Sequence, residues 1–431
     1  MKSKHKINLI TLGCSKNTVD SERLLNQIRV NNMNITDNPD EADTIIINTC
    51  GFIEAAKEES INTILNAVEL KKESKIKKVL VAGCLSERYK KELVKEIPDV
   101  DKYFGTEDYS SIINELGGEL KYNLLGERLI SAPHHSTYLK ISEGCDHPCS
   151  FCAIPIMRGK HVSKPLEELV KETEFLASQG TKELIIIAQD TTDYGKDIYG
   201  KQNIAYLLNK LSEIDGIEWI RLMYAYPSQF PENLIDVIAN NSKVCKYIDI
   251  PLQHISDNIL KSMRRGVTAK RTKELIYKLK ERIPDIALRT TFIAGYPNET
   301  EKEFKELCDF IEEVKFDRAG TFTFSVEENT ASFILGNPVP EKVKLERKDV
   351  LMEKQKEISL LKNESFIDKE LKILIDSTEG DFYIGRSYRD APEVDGEVLI
   401  QLNGSKLKAG NFCMAKIHDF NEYDLYAEVI H

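Results

Sequence analysis

Gly144 to Cys152 reads GCDHPCSFC, three thiols within nine residues. Cys145, Cys149 and Cys152 make a CxxxCxxC pattern directly after a strand-like run, Tyr138 to Ile141. The chain has nine cysteines in 431 residues. Chance would produce this spacing in well under roughly one such chain in a hundred. Three thiolates can fix three irons of a cubane cluster, and no further cysteine lies nearby in sequence to close the fourth. An open iron is what S-adenosylmethionine needs, because its amino and carboxylate groups can chelate there. One electron from the cluster then breaks a carbon–sulfur bond and leaves a 5′-deoxyadenosyl radical. The alternative is a structural zinc with His147 or His161 as fourth ligand. Zinc sites favour CxxC pairs, which weighs against it.

Downstream, further apolar runs recur: Leu184 to Ala188, Ile220 to Met223, Tyr247 to Ile250, Leu288 to Ile293 and Gly320 to Phe324. Helical segments separate them. Residues 131–362 therefore predict a central (βα) barrel, partial or full, with parallel strands. Chemistry in such a barrel belongs at the mouth formed by the C-terminal strand ends. Gln189 to Tyr194 and Thr291 to Thr300 fall at strand ends, and Gln189 and Gly295 within them are candidate cofactor contacts. Plain loop structure explains those segments equally well. A charged helix from Glu341 to Lys362 closes the region; Val343, Leu345, Leu351, Ile358 and Leu361 could form one packed stripe, but a solvated connecting helix suffices to explain it.

Upstream, residues 1–121 alternate short apolar runs with charged helical segments. The runs Ile7 to Leu12, Thr44 to Ile47 and Val79 to Ala82, with Lys102 to Gly105 as a fourth, predict a parallel-sheet α/β domain. Cys14, Cys50 and Cys84 each lie just beyond one of the first three strands. Ligands gather at the carboxyl ends of parallel strands. The placement predicts that the three thiols meet and hold a second cubane cluster. A single buried cysteine at such a place is ordinary packing, but three at matching positions point to ligands. Cys245, Cys308 and Cys413 show no ligand spacing and read as packing residues, and His134-His135 reads as a linker detail.

Residues 364–431 change character to short strand-like runs, Leu371 to Ile375, Gly396 to Leu402, Phe412 to Ile417 and Leu425 to Ile430. Turn signals such as Asp395-Gly396 and Asn403-Gly404 separate runs there, so a small antiparallel β-barrel is expected. The fold class is thus α/β with three modules.

The net charge is −11 and hydrophobic residues make up 41% of the chain. That composition supports a large core. No stretch approaches the length of a membrane span, and the N-terminus lacks a signal-peptide pattern, so a cytoplasmic protein without membrane contact is expected.

The three modules in this order resemble the methylthiotransferase family of the radical S-adenosylmethionine superfamily. Phe151, an aromatic just before the third motif cysteine, fits the superfamily pattern and is a further candidate cofactor contact. The C-terminal module resembles the TRAM domain. The resemblance implies two 4Fe–4S clusters and S-adenosyl-L-methionine used twice, as methyl donor and as radical source. The N-terminal cluster would carry or supply the sulfur, and a C–H bond would become C–S–CH₃.

One branch of the family modifies an adenosine in transfer RNA. The other, the RimO branch, modifies the β-carbon of an aspartate in ribosomal protein S-twelve. TLGCSKNTVDSE (Thr11 to Glu22), CDHPCSFCAIPIMRGKHVSKP (Cys145 to Pro165) and GRSYRDAPEVDG (Gly385 to Gly396) are similar to the second branch. Implied partners are ribosomal protein S-twelve or the small ribosomal subunit, and an electron donor such as flavodoxin or ferredoxin. From Phe366 to His431 there are 13 acidic against 7 basic residues. That is the opposite of an RNA-gripping footprint, so no direct RNA substrate is expected. The competing readings are a transfer-RNA adenosine methylthiotransferase and a non-catalytic iron–sulfur carrier.

Overall fold

The computed structural model describes residues 5–131, 133–402 and 406–430. The Asn403-Gly404 turn lies outside the described residues. The chain divides into two compact units. The first comprises Met1–Ala132, Tyr138–Asp146 and Ala153–Phe175, and the second Pro133–Thr137, His147–Cys152 and Leu176–His431.

The first unit is built on five strands, β1 (Lys6–Thr11), β2 (Asn34–Ile35), β3 (Thr44–Thr49), β4 (Lys78–Gly83) and β5 (Lys102–Tyr103), in the order β2-β1-β3-β4-β5. Every pairing in it is parallel. The central strand β3, TIIINT, is buried throughout, as a strand covered on both faces must be. Side chains alternate along it. Ile45 and Ile47 join Val79, Val81, Ile64, Ala67 and Val68 in one core. Ile46 joins Leu80, Ala82, Leu24 and Ile28 in the other. Helices α1 (Ser15–Val30), α2 (Glu54–Lys72) and α3 (Cys84–Glu96) follow β1, β3 and β4. The cores on both faces are why the register holds: a one-residue slip would turn each isoleucine to the wrong face.

Next come β6 (Ser136–Lys140) and an antiparallel clip of β7 (Ser142–Glu143) with β8 (Val162–Ser163). The second unit carries β9 (Glu183–Ile187), β10 (Trp219–Leu222), β11 (Val244–Asp249), β12 (Ala287–Ala294) and β13 (Arg318–Thr323). The sheet order is β13-β12-β11-β10-β9-β6, and the pairings from β9 to β13 are parallel. This is the partial barrel, open at β13 rather than closed.

The last five strands, β14 (Glu370–Glu379), β15 (Phe382–Arg386), β16 (Val398–Gln401), β17 (Phe412–Phe420) and β18 (Leu425–Val429), close into a barrel in the order β14-β15-β16-β18-β17. Strand β15 was not anticipated. All pairs but one are antiparallel; β16 and β18 run parallel. An odd number of strands cannot alternate direction around a closed ring, so one parallel seam is unavoidable. Asp395-Gly396 is not a turn joining paired strands. The Asp395 carboxylate instead accepts from the Ala391 N–H (2.9 Å) and the Tyr247 hydroxyl (2.7 Å).

The segment Arg386 to Asp395 is spent on contact with the early residues of the partial-barrel strands. Glu183 accepts from Arg221 (2.7 Å) and pairs with Arg386 (2.8 Å). Arg318 pairs with Asp390, and Arg389 with Asp317. His135 bonds Asp376 at 2.8 Å and so is part of the same joint. Buried Arg386 and Arg389 offset buried Asp390 and Asp395, so the acid excess of this module remains with its exposed residues.

The helix Glu341–Glu364 is not merely a solvated connector. It buries Lys344, Arg347, Leu351, Gln355 and Ile358, a helical stripe. Leu345 and Leu361, expected in the stripe, are exposed because they lie off it. The polar members are buried because they find partners: Lys344 donates to the Phe324 carbonyl (2.9 Å) and Gln355 to that of Phe316 (3.0 Å).

Candidate functional site

In the first unit, the three strand-end cysteines converge. Cys14 stands at the N-cap of α1, Cys50 follows β3, and Cys84 opens α3. Gly13 has φ +91°, and a Cβ there would lie 2.6 Å from Cys50 Cβ and 2.9 Å from its Sγ. A Cβ on Gly51 would fall 2.8 Å from the Leu85 Cα and 3.2 Å from the Cys84 carbonyl carbon. Only glycines let the three loops approach this closely. Ser60 of α2 pins Cys50 from both sides, accepting from its N–H (3.0 Å) and donating to its carbonyl (2.9 Å). Asn17 donates to the Leu12 (2.7 Å) and Thr49 (3.1 Å) carbonyls and so ties the first two loops together.

Opposing electrostatic effects act on these sulfurs. Two of the sulfurs stand at helix starts, where the dipole favours negative charge. Burial pushes the Cys84 thiol up to about 12 and raises Cys50 as well; Arg158 opposes both shifts. The donor set is three soft sulfurs, the type that iron–sulfur clusters take.

Arg158 is the residue that sequence reasoning missed. Its Nε–H donates to Cys84 Sγ at 3.3 Å. Its other nitrogens donate to Asp20 (3.0 Å), Glu143 (2.9 Å) and the Asn17 amide oxygen (2.5 Å). Fully buried Lys140 pairs with Asp20, Glu107 and Glu143. Tyr109 donates to Asp20 at 3.0 Å. Burial would raise the Asp20 and Glu143 carboxyls, yet Lys140 and Arg158 hold both below their ordinary values. The β7–β8 clip delivers the parts: it carries Glu143, and the Cys145 N–H bonds back to the Gly159 carbonyl (3.1 Å) beside Arg158.

The CxxxCxxC loop has no regular structure between β7 and the turn at Ser150–Phe151. Cys145 belongs to the first unit, Cys149 and Cys152 to the second. In the second unit Cys149 Sγ lies 3.5 Å from the Tyr226 hydroxyl and 3.4 Å from an Arg265 guanidinium nitrogen. The Tyr226 ring is sandwiched. His147 stacks on it at 3.6 Å and 7°, and the Arg265 guanidinium lies 4.2 Å from its centroid. Burial, the Cys149 sulfur and Asp190 raise the Tyr226 phenol, which therefore stays neutral and donates its proton to the Arg265 carbonyl (2.8 Å). A guanidinium donor aimed at the Cys149 sulfur suits a cluster thiolate. The two histidines weighed as zinc ligands have other partners: His147 Nε2 meets Asp190 at 2.5 Å and His161 Nε2 meets Ser163 at 3.0 Å.

Phe151 packs against Ile259, Met263, Tyr296 and Phe324. Gln189 follows the end of β9 and is half-buried. Gly295 follows β12 with φ +74°, and a Cβ there would collide with Lys344 at 2.3 Å. Its N–H donates to Glu299 (3.0 Å). Packing against the long helix thus accounts for glycine at this position. Cys245 and Cys308 are buried and Cys413 half-buried.

Residues 6–105 match the model of the uncharacterized protein family UPF0004, residues 139–311 that of the radical SAM superfamily, and residues 367–430 that of the TRAM domain. The ribosomal protein uS12 methylthiotransferase RimO of Cytophaga hutchinsonii is 50% identical over 429 residues, covering 99% of this chain and 98% of that protein. Its counterparts from Flavobacterium johnsoniae and Chloroherpeton thalassium are each 51% identical over 428 residues, with the same coverage. Among solved structures, the radical S-adenosylmethionine methyltransferase TsrM from Kitasatospora setae, with cobalamin and a 4Fe-4S cluster bound, matches with TM-score 0.58. It is 13% identical and is covered over 77% of each chain. The cobalamin-dependent S-adenosylmethionine radical enzyme OxsB matches with TM-score 0.52 and 14% identity, over 81% of this chain and 56% of that one. These likenesses show a shared fold.

Proposed function

The chain belongs to the RimO family of ribosomal protein uS12 methylthiotransferases, and we propose that it inserts a methylthio group at the β-carbon of an aspartate in that protein. It is a radical S-adenosylmethionine transferase, and we infer modules at 1–121, 131–362 and 364–431 from the sequence pattern. Cys145, Cys149 and Cys152 hold the radical-generating 4Fe–4S cluster; Cys14, Cys50 and Cys84 hold a second, auxiliary one. When bound, the two clusters supply the electron that cleaves S-adenosylmethionine and the sulfur that is transferred.

The chain's own residues hold this machinery. Arg265 and Tyr226 fix the Cys149 sulfur, and Ser60, Asn17 and the two glycines fix the loops of the auxiliary trio. Gln189, Gly295 and Phe151 lie on segments that border S-adenosylmethionine. The observation that carries the second cluster is the approach of three cysteine loops made possible by Gly13 and Gly51. A flavodoxin or ferredoxin supplies electrons. The acid excess exposed on the C-terminal barrel suits a basic protein or the small ribosomal subunit rather than RNA. Among the described residues no helix is long and apolar enough to cross a membrane, consistent with work in the cytoplasm.

Mass spectrometry of a strain lacking this protein tests the reading. Loss of methylthio mass from a uS12 aspartate peptide, with transfer-RNA nucleosides unchanged, is expected. Loss from a transfer-RNA adenosine alone would overturn the target while leaving the cluster chemistry standing.

A further inference from the structure

We propose that Arg158 is a positioning residue of the auxiliary cluster, donating its Nε–H to the Cys84 sulfur and raising that cluster's reduction potential. This rests on the reading of Cys14, Cys50 and Cys84 as cluster ligands. Arg158 is in the first unit, as are all its partners named here.

Arg158 is 7% exposed, and a buried guanidinium must have its donors satisfied. Asp20 and Glu143 accept from one terminal nitrogen, and Asn17 from the other. These three anchors lock the planar fork, and the remaining Nε–H then points at Cys84 Sγ. A lysine could neutralise the same carboxylates but has no second donor direction fixed by the first. The two carboxylates need an arginine or lysine for charge; Asn17 and the sulfur are served at the same time only by the fork. Reduction adds one electron to a cluster whose sulfurs already carry negative charge. A charge-assisted N–H donor stabilises the more negative state more, so the potential rises. Asn17 connects the same guanidinium to the loops of Cys14 and Cys50. Arg158 therefore bears on the geometry of the whole trio while touching only one sulfur.

The test uses the full chain in a background of Cys145→Ala, Cys149→Ala and Cys152→Ala, so that only the auxiliary cluster is present. Iron content and a dithionite titration with redox mediators, read by electron paramagnetic resonance, are compared with and without Arg158→Lys. The expected result is retained iron and a reduced-to-oxidised ratio about tenfold lower at fixed potential, equal to about 59 mV for one electron. Loss of iron with the cooperative thermal transition intact also supports the assignment. Retained iron with an unmoved potential overturns it. So does loss of the thermal transition, which would make Arg158 a core ion-pair residue alone. If the background with native Arg158 binds no cluster at all, the reading of the trio fails instead.

Discussion

The two cysteine trios are assembled by opposite means. Cys145, Cys149 and Cys152 share one irregular loop, so chain connectivity already keeps them near one another. Cys14, Cys50 and Cys84 are spread over 70 residues and are gathered only because β1, β3 and β4 lie side by side and in parallel. The first arrangement is cheap in ordering entropy and needs little support beyond Tyr226 and Arg265. The second is only as good as the sheet beneath it. It is accordingly set among glycine contacts, a serine clamp and a buried ion network. A local trio should tolerate change around it; a gathered one should not.

The largest expected effects separate the trios outright. Cys149→Ala should bring 5′-deoxyadenosine formation below detection while the auxiliary cluster remains. Cys50→Ala should remove about half the iron and leave S-adenosylmethionine cleavage possible. Unchanged iron in Cys50→Ala would break the comparison.

Next is Lys140→Met, which removes one of the two cations facing buried Asp20 and Glu143 and leaves Arg158 as the other. A cost of about 3–5 kcal/mol in urea unfolding is expected, with auxiliary iron lost first.

The second unit offers a comparison, a buried ion cluster whose neighbouring thiol, Cys245, is not one of the proposed cluster ligands. Burial would raise the Glu183 carboxyl, but Arg386 and Arg221 hold it at about 2, against an ordinary 4.5. A lowered acid stabilises the fold above its unfolded value and loses that contribution as pH falls through the folded one. Stability worth about 3 kcal/mol should therefore fade between about pH 4.5 and 2. Glu183→Gln should flatten that part of the acid-unfolding curve.

Gly51→Ala should cost about 1–3 kcal/mol, since the methyl group meets the backbone at Leu85. Auxiliary iron should fall with it. Smallest is Tyr226→Phe, which keeps the stack on His147 and removes the hydroxyl that bonds the Arg265 carbonyl and touches Cys149. About 1 kcal/mol and full iron content are expected. A large loss of radical-cluster iron there would show that the local trio depends on its surroundings as much as the gathered one.

The same contrast explains what was legible beforehand. CxxxCxxC is visible as spacing, because its ligands are neighbours in sequence. The scattered trio was legible only through the inference that parallel strands bring their ends together. Arg158 stood in plain view within Cys145 to Pro165, yet its partners Asn17, Asp20 and Cys84 are remote in sequence, and no local pattern announces such a pairing. Tyr226 and Arg265 escaped for the same reason. The stripe of the helix Glu341–Glu364 was misjudged because polarity was taken as exposure, whereas Lys344 and Gln355 are buried on strand-end carbonyls. Strand β15 was passed over because its arginine and glycine suit a loop as well as a strand.

The most direct test of the account is to count clusters in two complementary triple variants after anaerobic reconstitution. Iron, sulfide and Mössbauer spectra would be measured for alanine at Cys145, Cys149 and Cys152, and for alanine at Cys14, Cys50 and Cys84. One 4Fe–4S cluster in each variant is predicted, with S-adenosylmethionine cleavage in the second only. A first variant free of iron, beside a native protein holding a single cluster, would contradict the two-cluster account.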